Sequence, residues 1–151
     1  MPDLVNGFPA PDFELPDQNG QAVRLRQFRG RSVVLFFYPK DDTTGCTIEA
    51  CRFRDEFERF TAAGAEVIGI SDDSCESHQK FISKYKLPFT LLSDKGGRVR
   101  KLYGVNKTFG IIPGRVTFVI DREGVVQHVF SSQSNPAKHV DEALGVLAEF
   151  A

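Results

Sequence analysis

The stretch Ser32-Val-Val-Leu-Phe-Phe-Tyr-Pro39-Lys-Asp-Asp-Thr-Thr-Gly-Cys46 carries most of the fold's logic. Its first seven residues are apolar, β-branched or aromatic after the opening serine. A run like that, with no polar alternation, marks a strand covered on both faces. Pro39 ends the strand, because proline brings no ladder donor. Asp41 to Gly45 has turn chemistry. From Cys46 on, apolar residues recur at steps of four and three: Cys46, Ala50, Phe53, Phe57 and Phe60. That is one face of a helix running to about Gly64, which is placed to cap its end. The unit is therefore strand, turn, helix, with Cys46 in the first helical turn.

Working outward, Ala65–Ser71 reads as a second buried strand. A helix capped by Asp73 or Ser74 follows and runs to about Tyr85. Thr90–Ser93 reads as a brief strand and Arg98–Tyr103 as a short helical piece. Arg115–Asp121 and Val125–Phe130 flank the tight turn Arg122-Glu-Gly124 and form a hairpin. Pro136 opens a last helix through Phe150, with Val140, Leu144 and Leu147 on its apolar face. Upstream, Asp12–Leu15 and Ala22–Leu25 flank Asp17-Gln-Asn-Gly20, a second hairpin. The expected fold is α/β: a central mixed sheet with helices on both faces and an N-terminal β-hairpin. Such sheets place their sites at the carboxyl ends of central strands, which is where Cys46 falls.

The chain has 151 residues, 41% hydrophobic and 26% charged, which fits one folded domain spanning 1–151 and excludes wholesale disorder. Fourteen phenylalanines and no tryptophan give the core its material. Nineteen basic and twenty acidic side chains leave a net charge of -1, with no excess for a phosphate backbone, so no nucleic-acid partner is expected. The longest apolar run, Val33–Tyr38, is far short of the ~20 residues a membrane span needs. Met1-Pro2-Asp3 does not open a secretory signal. The expected location is the bacterial cytoplasm, or the interior of a plastid after loss of a transit peptide. Three cysteines suit reduced thiols with redox or metal chemistry better than a stapled secreted scaffold, or else simple packing.

Four features converge on Cys46. Free backbone N–H groups and the positive end of the dipole in a first turn favour a thiolate, so its pKa should lie below the ~8.5 of a free thiol. Thr43 and Thr44 bring hydroxyls that can donate to sulfur or to an oxygen beside it. Pro39 can wall the pocket. Arg115, at the start of a central strand, can hold an anion. Thr44 can otherwise serve simply as the helix cap. His78, His128 and His139 read as solvated positions. Arg24, Arg26, Arg29 and Arg31 read as a solvated face.

These residues resemble the peroxiredoxin family. Pro39-Lys-Asp-Asp-Thr43-Thr-Gly-Cys46 is similar to its Pro-x-x-x-Thr-x-x-Cys signature. Phe36-Phe-Tyr-Pro39, Glu49-Ala-Cys51-Arg-Phe-Arg-Asp55, Gly69-Ile-Ser71, Leu92-Ser-Asp94 and Pro113-Gly-Arg115 resemble the peroxiredoxin Q, or bacterioferritin comigratory protein, subgroup. The likeness runs from about Phe8 to Leu147. It implies a thioredoxin-like fold and a thiol-dependent peroxidase acting on hydrogen peroxide and organic hydroperoxides. It implies Cys46 as the attacking thiol, Thr43 as the hydroxyl that contacts peroxide, Pro39 as the shield and Arg115 as the activating cation. Glu49 matches a carboxylate that orients the arginine, and Cys51 matches the resolving thiol of an atypical 2-Cys mechanism. Thioredoxin or a related dithiol is the implied reductant, a monomer the implied state, and no metal, flavin or haem is called for. Some relatives carry their resolving thiol on the helix that Cys75 opens, but Cys75 lies nearer its start than that position, which makes it the lesser candidate for resolver and otherwise an incidental thiol.

Rival readings separate on spacing. A thiol–disulfide oxidoreductase uses Cys-x-x-Cys, whereas four residues lie between Cys46 and Cys51. A zinc module built from Cys46, Cys51, Cys75 and His78 meets a geometric obstacle. Residues five apart on a helix point about 140° apart, unsuited to tetrahedral chelation. A third rival is a structural holdase that retains the fold without catalysis, which loss of peroxide consumption in Cys46→Ser would exclude. Five helical residues also separate the two Cα atoms by roughly 8.6 Å. A disulfide wants no more than about 7 Å, so any Cys46–Cys51 bond requires the helix to unwind, with Gly45 as a permissive hinge.

Overall fold

The computed structural model describes residues 6–105 and 114–150. The Met1–Asp3 terminus and Pro113 of the Pro113-Gly-Arg115 motif lie outside the described residues. The elements are β1 (Glu14–Pro16), β2 (Ala22–Arg24), β3 (Ser32–Phe37), α1 (Thr44–Asp55), α2 (Phe57–Ala62), β4 (Ala65–Ser71) and α3 (Cys75–Tyr85). They continue as β5 (Thr90–Ser93), α4 (Arg98–Leu102), β6 (Val116–Ile120), β7 (Val126–Ser131) and α5 (Pro136–Phe150). Five strands form one mixed sheet in the order β5-β4-β3-β6-β7, and β1 and β2 form a separate antiparallel pair. β3 pairs parallel with β4 and antiparallel with β6. The helical crossovers enforce the first arrangement, and the β6–β7 hairpin accompanies the second.

The continuous apolar run is explained by two cores. Val33, Leu35 and Phe37 point to one face, where Ile68, Ile70, Phe118, Tyr103 and the hairpin residues Leu15 and Val23 cover them. Val34, Phe36 and Tyr38 point to the other, under Ala50, Phe53, Phe60, Val140 and Leu147 of the helices. All six residues of β3 are buried. Phe36 stacks on Phe53 at 4.5 Å between ring centroids. Gly69 makes this fit possible: a Cβ there would meet Leu91 and Phe36 at 2.7 Å. Among the described residues, no helix is long and apolar enough to cross a membrane.

Two readings need correction. The helix expected from Cys46 to Gly64 is two helices, broken at Glu56 (φ -100°, ψ 9°). The break resets the phase of the stripe, so Phe53 and Phe60 are both fully buried while Phe57 is only half-buried. The apolar face of α5 also lies a little to one side of the expected one. His139, Val140, Ala143 and Leu147 are buried and Leu144 is half-buried.

Candidate active site

β3 sits mid-sheet and ends with buried Tyr38 and half-buried Pro39. Thr43 occupies the N-cap of α1 in extended conformation, which places Cys46 in the first helical turn, 1% exposed. Its neighbours in the core include Tyr38, Ala50 and Phe53. The Thr43 hydroxyl donates to the Lys40 carbonyl (2.8 Å), which fixes the turn, and a hydroxyl oxygen that donates can still accept. The cap is therefore Thr43, one residue before Thr44, and its side chain makes no capping bond to the helix.

Arg115 directly precedes β6. Because Val116 pairs with Phe37, the antiparallel register carries residue 115 to the carboxyl end of β3. Its Nη2 lies 2.8 Å from the point a Cβ on residue 45 would occupy. Gly45 is thus required for the guanidinium to come alongside the residue before Cys46. Arg115 is 5% exposed, donates Nη1 to Glu49 Oε1 (2.7 Å) and donates Nε to the Gln133 carbonyl (3.3 Å). Glu49, one turn after Cys46, is fully buried, and burial pushes its carboxyl up to about 8 against the opposing pull of Arg115. His139 of α5 faces the same carboxylate, with Nδ1 3.7 Å from Glu49 Oε2.

A second cation was not foreseen. Arg100 of α4 is buried and donates to the carbonyls of Gly114 (2.7 Å) and Tyr38 (2.9 Å). Burial lowers it from the usual guanidinium range, while negative charge on Asp94, Asp72 and Cys46 acts against that. Asp94 fixes α4 by accepting from the backbone N–H groups of Val99 and Arg100. Two guanidinium groups therefore approach the strand end from different elements. Nothing in the periodicity of a five-residue helix marks Arg100 for that place.

The turn before Cys46 is clamped by α3, also unforeseen. Asp41 accepts from Tyr38 Oη (2.5 Å) and Ser77 Oγ (2.8 Å), and lies 2.7 Å from His78 Nδ1. The Asp41 amide donates to Asp73, and Asp42, at φ 58°, accepts from Lys84 and Tyr85. His78 is fully buried and its Nε2 faces the Leu92 carbonyl, so the expectation of a solvated histidine is wrong. The same correction applies to His139, fully buried between Thr117 and Ser132, and to His128, half-buried 3.3 Å from Glu142. Only a fold can bring these polar partners together; each was read as solvated because its neighbours in sequence offered nothing to bind.

All three cysteines are free thiols. Cys51 is half-buried on α1. Cys75 begins α3 and lines a cavity of about 530 Å³ with Asp94, Lys95 and Arg98. The zinc set is not assembled. His78 engages Asp41 and Leu92, and the grouped metal-type donors among the described residues are Asp41, Asp73 and His78, with no cysteine. Hydrogen bonds already engage these donors with one another and with the neighbouring turn.

Comparison with known proteins identifies the chemistry. Residues 7–129 match the AhpC/TSA family. A peroxiredoxin Q, chloroplastic, of Oryza sativa subsp. japonica is 56% identical over 95% of this chain and 67% of its own length. That of Sedum lineare is 55% identical over 95% of this chain and 78% of its own. The structure of peroxidoxin BcpB from Mycobacterium tuberculosis superposes with TM-score 0.91 at 39% identity, covering 98% of this chain and 99% of that one. Xanthomonas campestris peroxiredoxin Q gives TM-score 0.85 at 30% identity, covering 96% and 98%. With a thioredoxin-like sheet, a thiol in the first turn of α1 and an arginine drawn against the preceding glycine, the chain belongs to the AhpC/TSA family as a thiol-dependent peroxidase of its peroxiredoxin Q group.

Proposed function

We propose that Cys46 is the thiol that reduces peroxide and Cys51 the thiol that resolves it. The Cys46 thiolate attacks one oxygen of the hydroperoxide. The S–O bond forms, the O–O bond breaks, and the departing oxygen takes a proton to leave as water or an alcohol. Charge develops along S···O···O, so donors fixed near that line lower the barrier. Arg115, drawn against Gly45, and the first-turn amides of α1 fill that role. Thr43 contacts the peroxide, accepting its proton through a lone pair or donating after its hydroxyl turns from Lys40. Pro39 and Tyr38 keep water off the sulfur, and Glu49 orients Arg115.

The Cys51 thiolate then attacks the Cys46 sulfenic sulfur, hydroxide leaves as water, and an intramolecular disulfide forms. A dithiol donor of the thioredoxin type restores both thiols. Substrates are hydrogen peroxide and organic hydroperoxides; alkyl peroxide reduction activity is described for the bacterioferritin comigratory protein of Xanthomonas campestris, which shares this fold. The whole chain acts as one domain and as a monomer, with no nucleic-acid or membrane partner. Its relatives named chloroplastic favour a plastid interior, with a bacterial cytoplasm as the alternative.

The observation that carries this reading is the pairing of a buried thiol at the start of α1 with Arg115 beside Gly45. A coupled peroxidase assay with a thioredoxin system tests it. Cys46→Ser should abolish turnover, Cys51→Ser should abolish thioredoxin-driven turnover, and Cys75→Ser should leave it near wild type. Loss with Cys75→Ser and retention with Cys51→Ser would reverse the assignment of the resolving thiol.

A further inference from the structure

Glu49 has one oxygen that the peroxidase scheme does not use. Oε1 takes the Arg115 bond, while Oε2 is buried with no hydrogen-bond partner among the described residues. The group nearest in charge terms is His139, whose hydrogen bonds fix its tautomer. Nε2 lies 2.8 Å from the Ser132 carbonyl, which can only accept, so Nε2 carries a proton. Nδ1 lies 2.8 Å from Thr117 Oγ1 and 3.7 Å from Glu49 Oε2. In the neutral ring, Nδ1 accepts from the Thr117 hydroxyl, and at 3.7 Å its electron-rich edge also faces Oε2, a carboxylate oxygen with lone pairs of its own. Both residues are fully buried, so solvent does not relieve that opposition.

We propose that His139 is a positioning residue of the peroxidase site: with Glu49 it holds one shared proton, so that Arg115 keeps an uncancelled positive charge beside the first turn of α1. This rests on the role of Cys46 given above. With the proton on Oε2, Glu49 is neutral. With it on Nδ1, the carboxylate and imidazolium cancel. In either case the pair sums to zero and the Arg115 charge remains. Without the proton, Glu49 neutralises Arg115 and the field at Cys46 falls.

The surroundings agree. Burial pushes Glu49 up to about 8 and His139 down to about 4, and Arg115 adds to the fall at His139. The proton therefore rests mainly on Glu49. Among the described residues, the charged groups of the neighbouring elements are engaged elsewhere. On α1, Arg52 pairs outward with Asp141 of α5. His128 of β7 pairs with Glu142 of α5. β6 contributes the Thr117 hydroxyl, and Phe130 of β7 presents only a ring against His139, at 4.7 Å.

The test is the pH profile of single-turnover oxidation of reduced protein by hydrogen peroxide, from about pH 5 to 9.5, a range that spans the ordinary carboxylate-to-thiol interval. Wild type should show an alkaline limb as the shared proton leaves near pH 8. His139→Asn places an amide N–H toward Oε2, stabilises the carboxylate, and should move the limb down by a unit or more. His139→Leu removes all polarity there and should move it up. A packing role alone would lower the rate without moving the limb in opposite directions. The same limb position in all three proteins, or no limb in wild type, overturns the proposal.

A second readout does not depend on peroxidase activity or on the variants folding. In wild-type protein, the ¹³C resonance of the Glu49 carboxyl should titrate far above the ordinary carboxylate range, and the ¹⁵N resonance of His139 Nδ1 should shift at the same pH as its neighbour gains charge, while the ring itself protonates only near 4. Titration of Glu49 near ~4.3 overturns it. Loss of all peroxide reactivity in Cys46→Ser, measured alongside, keeps failure of this proposal distinct from failure of the Cys46 assignment.

Discussion

At the scale of the residue, a carboxyl group and an imidazole with opposite displacements share one buried cluster, and they leave a signature in stability. Glu49 keeps its proton in the folded protein to about pH 8, whereas an exposed glutamate releases it near 4.5. Between those values the folded state binds more protons, so stability falls as pH rises. His139 works in the other sense. It protonates near 4 in the fold and near 6.5 when exposed, so stability is lost as pH falls from 6.5 toward 4. The two slopes oppose each other at mildly acidic pH. Above 6.5 the Glu49 slope stands alone, and the unfolding free energy should drop by about 2 kcal/mol between pH 6.5 and 8. Urea unfolding at several pH values measures it, and Glu49→Gln should flatten that decline. An unchanged slope in the variant would assign it to some other group. None of this was legible in the sequence. His139 was read as solvated because its partners Thr117 and Glu49 lie far from it along the chain, and periodicity records which face is buried without saying which polar residues share it.

At the scale of the element, α1 is asked to be two things. In the proposed scheme its first turn offers Cys46 to peroxide, and its second holds Cys51 out of reach. The turn before it is tied to α3 through Asp41, Asp42 and Asp73, so the anchored part ends near Thr43. Beyond that, Glu49 and Arg52 hold α1 through Arg115 and the exposed Asp141. Phe53 and Phe60 are locked in the aromatic core with Phe36 and Phe89. Unwinding would release the Glu49 and Arg52 bonds, and should be confined between Thr43 and Phe53. Amide exchange over residues 45–52 should be slow in the reduced protein and fast in the disulfide form, while residues 75–85 keep their protection in both. Equal protection of 45–52 in the two states would rule out local melting as the route to the disulfide. The helical stripe itself could be read from spacing, since packing fixes its period. The break at Glu56 could not, because no proline or glycine marks it.

At the scale of the whole molecule, the sheet could be read almost entirely from its runs of apolar residues. β3 and β4 are buried on both faces, so their sequences lack alternation, and β6 and β7 are joined by a turn with plain chemistry. The position of Cys46 followed from that sheet. Arg100, His78 and Tyr38 did not, because they reach the strand end from elements whose order in space only the assembled fold defines. The central claim is that one thiol, held at the carboxyl end of the middle strand, breaks the O–O bond. It is tested most directly by giving reduced Cys51→Ser protein one equivalent of hydrogen peroxide and a sulfenic-acid trap, then locating the adduct by mass spectrometry. The account predicts one adduct per chain, on Cys46, with the peroxide consumed, and none in Cys46→Ser. An adduct on Cys75, or peroxide consumed at the same rate without Cys46, would contradict it.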